Sequence, residues 1–424
     1  MLEELLEILK NSKADDFEVT QLKTVGWEFY FIGHSLDQNR ARKTEHINVK
    51  VFKRTEDSLG IAEGELPADS SYEEIQNFVD DLITQASLVK NKPYELPEPQ
   101  ETEAIAAAIP DRKEEAAKLI DIFNTVHETE TEYLNSYEIF SDVTERRFIN
   151  SRGIDVTETY PSTALEVVVN AKNDEHEIEL YRYYQKGACD EQQTRKEIED
   201  TLRFGKDRLK AEATPKLNEY PILLSTDAAL QVYRWFLDGL NTGNIYRRIS
   251  SFAIGKEIAE GVNGDKVTLE AKRNLPYSGK NFICDSEGSV IRDTVLMKDN
   301  VPLAFQGPRM FSQYLGLEDT FQVSNVVVSG GTKSEAELRS GKYLEIVEFS
   351  DFQIDSINGD IFGEIRLAYY HDGEKTVPVT GGSVSGDLKE ALKDMYMSVN
   401  TRQYGSYVIP SVTRLEKVTV AGVK

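Results

Sequence analysis

At 424 residues the chain is too long for one core of ordinary size, so two or three domains are expected. Its 40% hydrophobic and 29% charged content excludes a disordered chain, and no apolar run approaches the roughly 20 residues that a membrane helix needs. The 73 acidic residues against 49 basic ones give a net charge of −24, which repels phosphate backbones and argues against direct nucleic-acid binding.

The opening MLEELLEILKNSKADD lacks a basic stretch and a small-residue cleavage site. It reads as an amphipathic helix rather than a signal peptide. Residues 15–54 then alternate apolar and polar positions, and FEVTQL, WEFYFI and HINVKVF are expected strands. Ser71 with Glu74 three residues on is a capping box, opening a helix to about residue 90 with Ile75, Phe78, Val79, Leu82 and Ile83 on one face. Pro93, Pro97 and Pro99 follow among charges and suggest an extended linker, where a first domain boundary is placed. A helix over 111–133 should turn Ala117, Ile120, Phe123 and Val126 inward, ahead of strands at about 136–149, 163–170 and 177–185. A helix near 190–212 carries the stripe Ile198, Leu202, Gly205 and Leu209. Beyond Pro215 come the strand PILLS and an amphipathic helix from Asp227. The remainder is glycine-punctuated and strand-like, including FICDSEG, FQVSNVVVSGG, YLEIVEF and SYVIPSVTRLEKVTVAG, with one helix, DLKEALKDMYMSV.

These elements predict an α+β chain: an N-terminal α/β region with antiparallel strands and flanking helices, then a β-rich, sandwich-like or barrel-like C-terminal domain. The domains are expected at 1–92, 93–215 and 216–424.

The search for chemistry returns mostly exclusions. None of the five histidines, His34, His46, His127, His176 and His371, lies four residues from another, so no helix presents an HExxH pair to zinc. His127 and His176 sit among acids and read as surface residues. The two cysteines, Cys189 and Cys284, fit a reducing cytoplasm and read as structural, because no base is assigned to either. GGSVSG at 381–386 fails the G-x-S-x-G spacing of a hydrolase elbow, and no phosphate-binding glycine loop occurs. Gly381, Gly382, Ser383, Ser385 and Gly386 are instead expected to form a peptide-facing or interface-facing loop, with Asp387 capping the next helix. A simple strand-to-helix turn is the competing reading. Arg247 and Arg248 could contact an anion or form salt bridges in so acidic a chain. The acidic balance itself mostly solvates the surface, though it could attract basic peptides. No catalytic or metal-binding constellation is complete in this chain.

Several segments, in order and across nearly the whole length, resemble the TldD/PmbA family, whose older label is modulator of DNA gyrase. They include LGIAEGE before the first long helix, NSRGIDV (150–156), YPILLSTDAA, NIYRRISSFAIGKEI, ICDSEGSVIRD, VVVSGGTKSEAEL, the run from INGDIF to LKEALKDM, and the final VTVAG. Members of the TldD branch carry H-E-x-x-x-H on the helix after the YPILLS-like strand and a cysteine near the C-terminus. The corresponding stretch here, Gln231 to Asn241, has neither histidine nor glutamate, and the C-terminal segment has no cysteine. That departure is similar to the PmbA (TldE-like) branch.

The resemblance implies a cytoplasmic two-component zinc peptidase acting on unfolded peptides. This chain would be its subunit without metal ligands or catalytic residues, the zinc residing in a TldD-like partner. A homodimeric, non-catalytic peptide-binding or scaffold protein is the alternative, and an independent hydrolase using Cys284 or another, unrecognised nucleophile a third reading.

Overall fold

The computed structural model describes residues 1–102, 109–317 and 320–423. Helix α1 (Leu2–Asn11) buries Leu5, Leu6, Ile8 and Leu9, the apolar stripe that its 3.6-residue period creates. Strands β1 (Asp16–Ile32), β2 (Ser35–Arg54) and β3 (Leu59–Leu66) form an antiparallel meander. Helix α2 (Tyr72–Leu88) starts at the capping box: Ser71 Oγ accepts from the Glu74 amide, and the Glu74 carboxylate accepts from the Ser71 amide. Its buried residues Ile75, Val79, Leu82 and Ala86 join α1 and β1–β2 in one core.

The same sheet continues beyond the proline segment. Strands β4 (Glu132–Asn150), β5 (Asp155–Lys172) and β6 (Glu177–Lys186) extend it to six strands in the order β3-β2-β1-β4-β5-β6. One sheet therefore crosses the sequence position chosen for the first boundary. The proline segment is tied down rather than free: Tyr94 and Leu96 are buried beside Phe52 and Leu59, and Arg54 and Arg152 both reach Glu95 at 3.0 Å. The β4–β5 turn is NSRGIDV. Asn150 Oδ1 accepts from the Arg152 and Ile154 amides, its Nδ2 donates to the Pro97 carbonyl, and Gly153 takes the left-handed backbone the turn requires.

Helices α3 (Arg112–Thr125) and α4 (Glu191–Leu209) cover one face of this sheet. The inward face of α3 is Ala116, Leu119, Ile122 and Phe123, not the Ala117 and Ile120 face expected. Phe123 and Val126 are buried as expected, the Phe123 ring stacking on Tyr137 at 3.9 Å, while Ala116 and Leu119 take the inward places expected of Ala117 and Ile120.

The C-terminal half holds two sheets around the largest core. In one, the strands Tyr343–Ile354, Asn218–Leu224, Thr413–Ala421, Ser383–Asp387 and Asp360–His371 pair in turn, and the last closes on the first, making a five-stranded barrel. Helix α5 (Leu230–Gly239) packs Val232, Tyr233 and Phe236 into the core that both sheets share. The α+β class and the β-rich C-terminal half agree with the sequence reading.

Two elements differ. FICDSEG is no strand but a turn held by Asp285, whose carboxylate accepts from the amides of Glu287, Ser289 and Gln322. DLKEALKDMYMSV is helical only over Leu388–Ala391 and one 3-10 turn before Met395–Met397 pairs as a strand. Among the described residues no helix is long and apolar enough to cross a membrane.

Candidate functional site

A cavity of about 1370 Å³ opens between the free edge of the N-terminal sheet and the C-terminal half. β6 and α4 form one wall. The other comes from the start of α5, the loop around Phe282 and the hairpin of strands Thr401–Tyr404 and Tyr407–Pro410.

Its charges are organised. Glu197, on the inner face of α4, is buried and neutralised by Lys186, whose Nζ donates at 2.6 Å, and by Arg402 3.7 Å away, while Gln193 Nε2 adds a neutral hydrogen bond at 2.7 Å. Arg339 grips Glu345 through two N–H groups at 2.9 and 2.7 Å and reaches Glu335 at 2.9 Å; these bonds hold its guanidinium protonated far above the usual range. Asp200 is shared by Lys196 and Arg203, each at 2.9 Å. Arg234, projecting from α5, instead lies over the Tyr407 ring at 5.4 Å.

Tyrosines supply much of the remaining surface. The Tyr184 hydroxyl meets Thr201 Oγ1 at 2.9 Å, and Tyr369 donates to Asp207 at 2.6 Å. Burial pushes the ionisation of both, and of Tyr404, well above a free phenol, so each stays a neutral hydroxyl. Neutral phenols and guanidiniums together suit amide carbonyls and carboxylates.

The donor set does not fit zinc. Among the described residues no histidine or cysteine lines the cavity, and most of its carboxylates are already ion-paired. Among the described residues no group of three or more histidine, cysteine, aspartate or glutamate side chains is placed to hold a metal ion. The helix equated by resemblance with the relatives' metal-binding helix, α5, presents Leu230 and Arg234 to the cavity.

The residues singled out in the sequence lie elsewhere. Ser383–Asp387 is a barrel strand and not a loop; Gly381 and Gly382 form the bend before it, with φ of +79° and +83°. A Cβ on Gly382 would collide with the Ala421 carbonyl oxygen, whereas one on Gly386 would meet only ordinary contacts. Gly382 thus serves close backbone approach within the barrel, and Gly381 the left-handed bend before it. Asp387 does cap the following turn, accepting from the Lys389 amide at 2.7 Å.

Arg247 and Arg248 are exposed and make no salt bridge among the described residues; Arg247 lies 4.4 Å over the Phe311 ring. Cys284 is buried against Arg146, and burial pushes its thiol up to about 12; Cys189 is pushed up to about 11. Neither lines the cavity, and neither is a thiolate at neutral pH. His127 and His176 are exposed.

The cavity itself went unseen in the sequence. The only local signals were the tyrosine–arginine mixtures YRYYQK (181–186) and TRQYGSY (401–407), which supply facing walls.

Comparison with known proteins bears on this site. A profile described as the PmbA/TldA metallopeptidase central domain matches residues 97–212, and one for the C-terminal domain matches 217–422. An uncharacterised protein of Methanocaldococcus jannaschii is 23% identical over 96% of this chain and 98% of its own length. The metalloprotease PmbA of Escherichia coli O157:H7 is 22% identical over 45% of each chain. In fold, TldE from Thermococcus kodakarensis superposes with a TM-score of 0.80 at 15% identity, over 99% of this chain and 100% of that one. A putative modulator of DNA gyrase from Thermotoga maritima gives 0.78 at 16% identity, over 99% of each. With both profiles matched in order across most of its length, the chain belongs to the PmbA/TldD metallopeptidase family.

Proposed function

We propose that the chain is the PmbA-like, metal-ligand-free subunit of a cytoplasmic two-component peptidase. It holds unfolded peptides in its cavity while a TldD-like partner carries the zinc and cleaves them. The observation that carries this reading is a cavity of about 1370 Å³ whose tyrosines and guanidiniums suit a peptide backbone and whose donor set does not suit zinc. Neither thiol offers an alternative nucleophile, which removes support from an independent hydrolase. The homodimeric scaffold differs from this reading only in the partner.

The test is reconstitution with the HExxxH-bearing relative from the same host, followed by hydrolysis of an unfolded peptide. The pair should cleave and this chain alone should not. Cleavage by the isolated chain would overturn the proposal. A stable homodimer that binds peptide, but adds nothing to the relative's activity, would replace it with the scaffold.

A further inference from the structure

Within a chain of net charge −24, the cavity is lined by eight basic and five acidic side chains, a local reversal of sign. The pairing sharpens that reversal. Glu197, Asp200, Glu335 and Glu345 are each held by cations of the cavity wall, which among the described residues leaves Asp227 as the cavity acid without an ion pair. On the positive side, among the described residues Arg234 and Lys280 have no carboxylate within salt-bridge distance, and Arg402 has only the 3.7 Å contact to a glutamate already bonded by Lys186. Arg234 and Lys280 are also exposed, so neither is needed to satisfy a buried group.

Two of these cations are held in place by rings. Arg402 lies over Tyr404 at 5.2 Å and Arg234 over Tyr407 at 5.4 Å, and those tyrosines are cross-strand partners at the tight hairpin around Gly405. A guanidinium resting on an aromatic face keeps its N–H edge free for a planar anion, and ordering it in advance lowers the entropy lost on binding.

We infer that the cavity takes peptides through their carboxylates, whether acidic side chains or the C-terminus, and disfavours basic peptides. Arg234, Arg402 and Lys280 are the contacts. This inference rests on the peptide-binding reading above and reverses the attraction for basic peptides that the overall charge suggests. The global field opposes an acidic ligand, so a preference for one can arise only locally. It should emerge at about 0.15 M salt, where screening acts over about 8 Å.

The experiment measures binding of dye-labelled unstructured peptides to the full chain at that salt. The peptides are matched in length, rich in Glu, Gln or Lys, and each is made with a free or an amidated C-terminus. Binding of the Glu peptide should exceed that of the Gln peptide by about tenfold, with the Lys peptide weakest. The Arg234→Ala/Lys280→Ala variant should erase that advantage while its melting temperature stays unchanged. Loss on amidation alone would assign the contact to the terminal carboxylate, and loss on Glu-to-Gln exchange to side chains; either outcome supports the inference. Equal binding of all peptides, or a preference for Lys, overturns it while leaving the peptide-binding reading intact. Failure to bind any peptide overturns both.

Discussion

In the N-terminal sheet, β1 pairs with β2 along all 17 of its residues, and every junction but β1–β4 joins strands adjacent in sequence. In the C-terminal barrel, Leu224 pairs with Thr413 and Ser383 with Ala421, and strand Asn218–Leu224 runs parallel to strand Tyr343–Ile354. The first region is made of long hairpins that nearly specify their own partners. The second must gather short strands from distant sequence, so it depends on close backbone approach and on buried ties that fix where each segment lies. The cavity sits where the two kinds of construction meet.

The largest effect should come from breaking the seam between them. Arg146, on β4, is buried, pairs with Glu158 on β5, donates to the Cys284 carbonyl and lies 5.0 Å from the centre of the Phe282 ring. Arg146→Ala leaves Glu158 buried without its cation and should cost about 3–5 kcal/mol in denaturant unfolding. Adding Glu158→Gln should recover part of that loss, because the two changes share one interaction.

Gly382→Val strikes the barrel alone. Its left-handed φ and the collision with the Ala421 carbonyl should together cost about 3 kcal/mol, measured by thermal melting. A variant of wild-type stability would show that this bend can relax, and the contrast with the hairpin-built sheet would weaken.

The N-terminal sheet offers a pH-dependent test. Burial pushes Glu18 up to about 8 despite Lys50 at 3.5 Å, with Glu287 and Asp285 adding to the rise. Between its unfolded value near 4.5 and about 8 the folded state keeps a proton that the unfolded state releases. The stability this confers is complete below that window and declines as pH rises through it. Glu18→Gln should remove that part of the slope when melting is followed from pH 5 to 9, whereas an unchanged slope would contradict the assignment.

The smallest effect compares caps. Ser71→Ala removes the capping box of a 17-residue helix and should cost about 1 kcal/mol. Asp387→Ala, at a four-residue helix in the barrel half, should cost less.

The same contrast explains what could be read from the sequence. α2 and α4 are legible because each is long enough for its period to stand out, and Ser71 and Glu74 mark a helix start by chemistry alone. FEVTQL and WEFYFI, expected as two strands, form the single β1, and only HINVKVF of β2 shows in the sequence because the exposed first part of that strand is polar on both faces. FICDSEG looked like a strand because apolar Phe282, Ile283 and Cys284 run together; what shapes it is Asp285 collecting three amides, one from Gln322, which no local pattern shows. GGSVSG reads as a loop from its glycines, yet only Gly381 and Gly382 need that freedom and Ser383–Asp387 is a strand. The cavity was invisible for a further reason: Lys186, Arg234, Lys280 and Arg402 come from four separate segments, and their relation exists only in the fold.

On the function proposed above, this chain supplies a peptide-holding wall and no metal centre. The most direct test is the zinc content of the purified full chain, stripped of metal, reloaded with zinc, desalted and analysed. No stoichiometric zinc is expected, because among the described residues the cavity offers neither imidazole nor thiolate and most of its carboxylates are ion-paired. One tightly held zinc per chain would contradict it.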